Sequence, residues 1–291
     1  PQQAGYYQNR LGDYSKSARS MLEENYTCAL NLYKNSKVSE AMYCLGRAAH
    51  FIEDICCPVH TANMRYFDKP GNAHNAFEKH ANNISRNFPA EKFDKRLLKT
   101  YSGDSFENAA NKLCAVSNKH AEPISNLDPI AFDNAVKSMV PIATQNVMAL
   151  LMKFFDDCKA ENGNYLLDGK MYTFKNEASG ELITVTAKGI ALEKADKDKE
   201  QKLNLVMSDN GTFALKAADG GYVSAKLKGF DYPKGDTAGA QFRAAALGKN
   251  RYRITTEASS FAKVLACGKT GGLTVADFDP GNSTQVWILN K

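Results

Sequence analysis

Apolar residues in the first 160 positions recur at helical spacing with few turn residues between them. One helix is predicted over about 11–34, with Leu11, Tyr14, Ala18, Met21, Leu22 and Ala29 on its apolar side. A second is predicted from about Lys37 to Ile55, with Ala41, Leu45, Ala48, Ala49 and Ile52 as its stripe and Ser36 as its N-cap. Pro58 should stop it, because proline cannot continue the backbone ladder. A third helix spans about 73–86 and carries Phe77, Ala81 and Ile84. Asp104-Ser-Phe-Glu107 reads as a capping box that opens a fourth. Asp128 and Pro129 open a long helix to about Asp157, which Pro141 should bend. Residues 1–160 are therefore expected to form an all-α bundle.

The pattern changes near Glu161-Asn-Gly-Asn164 to short alternating runs cut by Asp, Gly and Asn. Strands are expected at Leu182-Ile-Thr-Val-Thr186, Tyr222-Val-Ser-Ala225 and Leu273-Thr-Val-Ala276. The text also repeats. Gln201-Lys-Leu203, Gln241-Phe-Arg243 and Gln285-Val-Trp287 recur at spacings of 40 and 44, each after a polar turn. Three units of that period predict a threefold β architecture over residues 163–291. The pattern resembles the β-trefoil of ricin-type modules, with the closing tryptophan kept at Trp287 alone. The expected fold is thus multidomain: a helical bundle followed by an all-β, trefoil-like domain.

At 291 residues, two domains can each bury a core. The formal charge of +5 is spread thinly over both halves, which argues against nucleic acid and suits an anionic membrane surface. No apolar run in the sequence approaches the length of a membrane span. The seven cysteines show no CxxC pattern, so they read as buried free thiols rather than zinc ligands, Cys56 and Cys57 included.

Candidate chemistry concentrates in one stretch. His50, Asp54, His60, His74 and Glu78 fall within 29 residues, at gaps of four, six, fourteen and four. The first and last gaps are i,i+4 pairs, which place both side chains on one helix face. Imidazole and carboxylate are ligands that zinc accepts, and paired helices can converge them. The bland alternative is a set of hydrogen-bonded, partly buried polar residues. Three other features read as ordinary: His80 as an exposed helical histidine, His120 as a cation near a helix C-terminus, and Asp156-Asp157 as a solvated helix end. Tyr66 and Phe67, in the loop between His60 and His74, read either as lipid contacts at the mouth of the site or as aromatic packing under the loop.

Leu45-Gly-Arg-Ala-Ala-His-Phe-Ile-Glu-Asp-Ile-Cys-Cys-Pro-Val-His-Thr-Ala-Asn63 followed by His74-Asn-Ala-Phe-Glu78 resembles the core of bacterial zinc-dependent phospholipases C, the alpha-toxin group. The resemblance covers roughly residues 8–157. It implies Zn²⁺ held completely by His60, His74 and Glu78, half of a second site at His50 and Asp54, and up to three ions in all. Asp54 and Glu78 would be the catalytic carboxylates. The implied reaction is hydrolysis of phosphatidylcholine-type phospholipids to diacylglycerol and a phosphorylated headgroup, by a secreted enzyme acting at a membrane surface.

The chain departs from that family in lacking an upstream segment with the remaining zinc ligands, so full activity is expected to need such a segment as a partner. It also carries the trefoil-like domain where alpha-toxin relatives have a calcium-dependent sandwich or nothing. Glycans are a candidate ligand of that domain, although Val264-Leu-Ala-Cys267 lacks the aspartate of lectin trefoils. The competing functional class is a non-enzymatic membrane- or glycan-binding protein that keeps the helical scaffold.

Overall fold

The computed structural model describes residues 7–8, 14–15, 17–64, 72–90, 92–102, 106–226, 229–234 and 240–291. Two short paired strands, β1 (Tyr7–Gln8) and β2 (Tyr14–Ser15), come first. Eight helices follow: α1 (Ala18–Lys34), α2 (Val38–Cys56), α3 (Pro58–Thr61), α4 (Ala73–Ile84), α5 (Arg96–Tyr101), α6 (Glu107–Ser117), α7 (Ala121–Ser125) and α8 (Pro129–Lys159). The first helix therefore starts at Ala18 and not near residue 11, because Tyr14-Ser15 pairs as a strand. Leu11, Asp104, Tyr66 and Phe67 lie outside the described residues.

Ser36 does not cap α2. It sits in the left-handed region at φ 63°, its amide donates to Tyr33 O at 3.0 Å, and the Lys37 amide donates to Leu32 O at 2.9 Å. Those two bonds are a Schellman closure of α1. Pro58 ends α2 as expected and also begins α3, where its missing N–H costs nothing. The six-residue α5 escaped the periodicity reading because one and a half turns carry too few apolar positions. It is anchored by Tyr101, whose hydroxyl donates to Asn146 Oδ1 of α8 at 3.1 Å.

Val59, Phe77, Ile124, Phe132, Ala135 and Val136 form the core beside α3 and α4. By length and composition α8 can cross a membrane, which the sequence reading did not register. Phe132, Val136, Met139, Leu150 and Phe154 are buried, while 33% of its most apolar window is buried overall and Ile130, Met148, Met152 and Phe155 are exposed.

Among the described residues, twelve strands lie in the C-terminal part: β3 (Met171–Asn176), β4 (Leu182–Thr186), β5 (Gly189–Glu193), β6 (Leu203–Met207), β7 (Phe213–Lys216), β8 (Ser224–Lys226), β9 (Gly229–Asp231), β10 (Phe242–Gly248), β11 (Arg251–Thr256), β12 (Val264–Cys267), β13 (Leu273–Ala276) and β14 (Val286–Asn290). Strands β3, β6, β7, β10, β11 and β14 pair in a closed ring, β14 returning to β3. Hairpins β4–β5, β8–β9 and β12–β13 complete three four-stranded units. This is a β-trefoil.

The repeated glutamines explain its period. Gln201 Oε1 accepts from the Asp196 amide while its Nε2 donates to Lys194 O. Gln285 repeats this with the Asp279 amide and Asp277 O. Gln241 Oε1 accepts instead from the Ser208 and Thr212 hydroxyls. Each glutamine pins a polar turn to the strand it opens. Trp287 is fully buried and donates from Nε1 to Leu265 O at 3.1 Å.

The chain resolves into two compact units. One contains Ser17–Leu22 and Gly46–Lys159; the other contains Glu23–Leu45 together with Ala160–Lys291. Residues 23–45 thus pack with the trefoil, although their helical pattern alone groups them with the bundle. Polar side chains make that attachment. The Leu166 amide donates to Asn31 Oδ1 and the Asp168 amide to Asn35 Oδ1, both at 2.8 Å. The Ala246 amide donates to Thr27 Oγ1 at 2.9 Å. The bonds to the Leu166 and Ala246 amides satisfy backbone donors that packing would otherwise strand. Cys28 and Cys44 meet in the same unit with sulfurs 2.8 Å apart.

Candidate metal centre

The last two turns of α2 carry His50 and Asp54, α3 carries His60, and α4 carries His74 and Glu78. The structure brings all five into one chain of contacts. His50 Nε2 lies 3.6 Å from Asp54 Oδ2. Asp54 Oδ1 lies 3.0 Å from His60 Nδ1. Glu78 Oε1 is the meeting point, 2.9 Å from His60 Nε2 and 3.1 Å from His74 Nε2. The two imidazoles stack with centroids 5.1 Å apart.

Local backbone structure explains the aim of each ring. After α3, Asn63 adopts φ 51°; its amide donates to His60 O at 3.0 Å and that of Met64 to Val59 O at 2.9 Å, a second Schellman closure. That turn holds Met64 O where it accepts from His74 Nδ1 at 2.9 Å. A carbonyl can only accept, so Nδ1 of His74 carries a proton and its Nε2 is the ring atom turned to Glu78. Asp54 holds His60 from behind in the same way, leaving its Nε2 turned to Glu78. Carboxylate–histidine and carbonyl–histidine contacts of this kind fix the tautomer of metal-binding imidazoles. Asn72 opens α4, its side chain accepting from the Asn75 amide at 3.1 Å, which sets the start of the helix that carries His74.

His60 Nε2 and His74 Nε2 thus each contact Glu78 Oε1, although the three atoms do not all lie within 4.8 Å of one another. Two imidazoles and a carboxylate are a donor set that zinc accepts. The Asp54 hydrogen bond raises the His60 imidazole above its ordinary value, with Glu78 adding to the rise and burial opposing it.

His50 is the outermost of the five, with its side chain 66% exposed, and its Nδ1 also faces Glu53 Oε2 at 3.9 Å. Gly46, one turn earlier on α2, is exposed, and a Cβ there would meet nothing within 4 Å. Gly46→Ala should stabilise the helix by roughly 0.5–1 kcal/mol, since alanine loses less backbone entropy. Urea unfolding measures this; a destabilised variant would mean the space beside His50 must stay empty.

Cys57 is the residue that sequence reasoning set aside. Its sulfur, a His60 ring nitrogen and a Glu78 carboxylate oxygen lie within 4.8 Å of one another. Burial pushes its thiol up to about 12, against the pull of the His60 and Val59 amides. The only advance signal was adjacency to the ligand pattern. Cys57 also borders an apolar cavity of about 490 Å³ walled by Phe77, Ala81, Val136, Met139 and Val140.

Two histidine readings change. His80 is not a free surface residue: its Nε2 lies 2.7 Å from Asp133 Oδ1 and its ring rests against Phe132. His120 ends a short 3₁₀ turn, but burial and then Lys119 lower its pKa, so its surroundings disfavour the cation expected there. Asp157 and Asp156 pair with Lys153 and Lys159 at the end of α8.

The comparisons with known proteins address this same region. Residues 3–123 match the family model of zinc dependent phospholipase C. That span contains all five residues of the centre and Cys57. A phospholipase C from Bacillus cereus is 28% identical over 75 residues, which is 26% of this chain and 26% of that protein. The match thus spans about a quarter of that relative's length. Among solved structures, Cry35Ab1 aligns at TM-score 0.38 and 20% identity, over 43% of this chain and 36% of that one. The ricin B-like lectin from Macrolepiota procera, solved in complex with lactose, aligns at TM-score 0.36 and 16% identity, over 43% of this chain and 98% of that one.

Proposed function

We propose that this protein is a zinc-dependent phospholipase C that hydrolyses the phosphodiester of phosphatidylcholine-type lipids to diacylglycerol and a phosphorylated headgroup. The observation that carries the reading is the convergence of His60 Nε2 and His74 Nε2 on Glu78 Oε1, with both Nδ1 atoms held from behind. His60, His74 and Glu78 would hold one ion, and His50 with Asp54 would contribute to a second. When bound, zinc polarises a phosphodiester oxygen and lowers the pKa of a coordinated water. The chain's own residues do the positioning. Asp54 orients His60 and reaches His50, so one carboxylate links the two halves of the centre. Met64 O locks His74.

The apolar cavity beside Cys57 supports a lipid substrate over a more polar phosphodiester, because its walls offer an alkyl chain a dry surface. The family match and the Bacillus cereus relative support the same reaction class. The partner is then a phospholipid surface, met outside the cell, with glycans as the candidate ligand of the trefoil.

The test is release of phosphocholine from phosphatidylcholine vesicles by the zinc-loaded protein, with and without chelator. Chelator-sensitive release is the expected result. A zinc-loaded, folded protein that releases nothing even when the upstream segment of the family is supplied would sink the enzymatic reading and favour the binding-protein alternative.

A further inference from the structure

Cys57 is the donor in the centre that neither the ligand spacing nor the proposed site accounts for. No other trio of metal-competent side chains among the described residues comes within the 4.8 Å limit that Cys57, His60 and Glu78 meet. His74 joins the group through Glu78 Oε1. Cys57 occupies the break between α2 and α3, with extended backbone at φ −88° and ψ 115°, immediately before Pro58. Asp54, Cys57 and His60 thus follow one another at three-residue steps along the turn that closes the centre.

We propose that Cys57 binds the metal through its sulfur together with His60 and Glu78, taking the coordination position that a His60–His74–Glu78 site leaves open. The inference rests on the zinc-site reading above. Donors around a tetrahedral zinc lie roughly 3.3–3.8 Å apart, given metal–ligand bonds of about 2.0–2.3 Å. The trio must contract by at most about 1.5 Å at its widest, and χ1 rotation alone moves a cysteine sulfur that far between rotamers. In forming the bond the Cys57 S–H is broken, the proton leaves to solvent, and the sulfur lone pair is given to the metal.

Two consequences follow for the chemistry. A thiolate makes the centre softer, so it selects zinc or cobalt over magnesium and calcium. A fourth protein ligand also closes the coordination shell, which is the arrangement of a resting or structural site. Cys57 would then have to yield its place before a phosphate oxygen or a water could bind.

Cobalt(II) titration of the apo protein tests this, because a thiolate ligand gives a near-ultraviolet charge-transfer band while imidazole and carboxylate ligands do not. The expected result is such a band in the wild type, lost in Cys57→Ser and kept in Cys56→Ser, with the visible cobalt bands surviving in both. As a check that needs no variant, zinc should protect Cys57 from alkylation, read by peptide mass. Cobalt bound with visible bands but no near-ultraviolet band, or a band that survives Cys57→Ser, would overturn sulfur ligation and leave the zinc site standing. A wild-type protein that retains no cobalt would overturn both.

Discussion

His60→Ala is expected to strip the protein of bound zinc and of any phosphodiesterase activity with it. His60 touches both carboxylates of the centre, through Nδ1 to Asp54 and Nε2 to Glu78. Its loss leaves His74 and Glu78 as a pair on one helix and detaches Asp54 from them. Removing a residue that merely orients a ligand costs about 10–100-fold in metal affinity, so removing the ligand itself should cost more than about 100-fold. Thermal unfolding supplies a second readout. Zinc at 100 times its dissociation constant stabilises the folded wild type by about 2.7 kcal/mol, and that increment should vanish in the variant. Unchanged zinc content in a folded His60→Ala protein would show that the metal sits elsewhere.

Gly211→Ala is expected to destabilise the trefoil-bearing unit by about 3 kcal/mol. Gly211 lies in the turn between β6 and β7 at φ +76°, and its amide donates to Ser208 O at 3.1 Å. A Cβ there would stand 2.2 Å from Cys28 Sγ and 3.3 Å from Leu32 Cδ1, both on α1. Left-handed backbone costs a non-glycine residue about 1–2 kcal/mol, and forcing a methyl into filled space costs typically 1–3 more. Leu32 is fully buried, so it has little room to move. Equilibrium unfolding of the intact protein measures the loss. A variant within about 0.5 kcal/mol of wild type would mean that α1 does not seat against this turn.

Much of the architecture was legible because it is written in local periods. The i,i+3/i+4 stripes of α2, α4 and α8 and the three glutamine units each repeat within a few dozen residues. The trefoil is the clearest case: Gln201 and Gln285 make the same two bonds to their turns, so a sequence repeat translates directly into a structural one. Tyr14 fits the helical stripe of α1 yet lies in a strand, because a short apolar match at a helix end says nothing about pairing with the neighbouring segment Tyr7–Gln8. Ser36 has the right residue type for an N-cap and serves as the closure of the preceding helix. The choice between these depends on backbone conformation, which residue identity biases without deciding.

The candidate metal centre divides in the same way. The order and spacing of His50, Asp54, His60, His74 and Glu78 were sufficient to nominate them, since i,i+4 geometry is fixed by the helix itself. Spacing did not determine that Met64 O locks His74, that Asp54 serves His60 as well as His50, or that Cys57 joins the group. Each of these depends on the turn after α3 and the break at Pro58, where the chain leaves regular structure.

By itself, then, the sequence determined the two classes of architecture, the threefold repeat and the five polar residues of the centre, because all are encoded in short-range periodicity. The tertiary structure decided which atoms of those residues face one another, that residues 23–45 pack with the trefoil through Thr27, Asn31 and Asn35, and that Cys57 lies beside His60 and Glu78 of the candidate site. Those outcomes come from contacts between distant segments, whose free energy depends on three-dimensional packing that no local pattern carries.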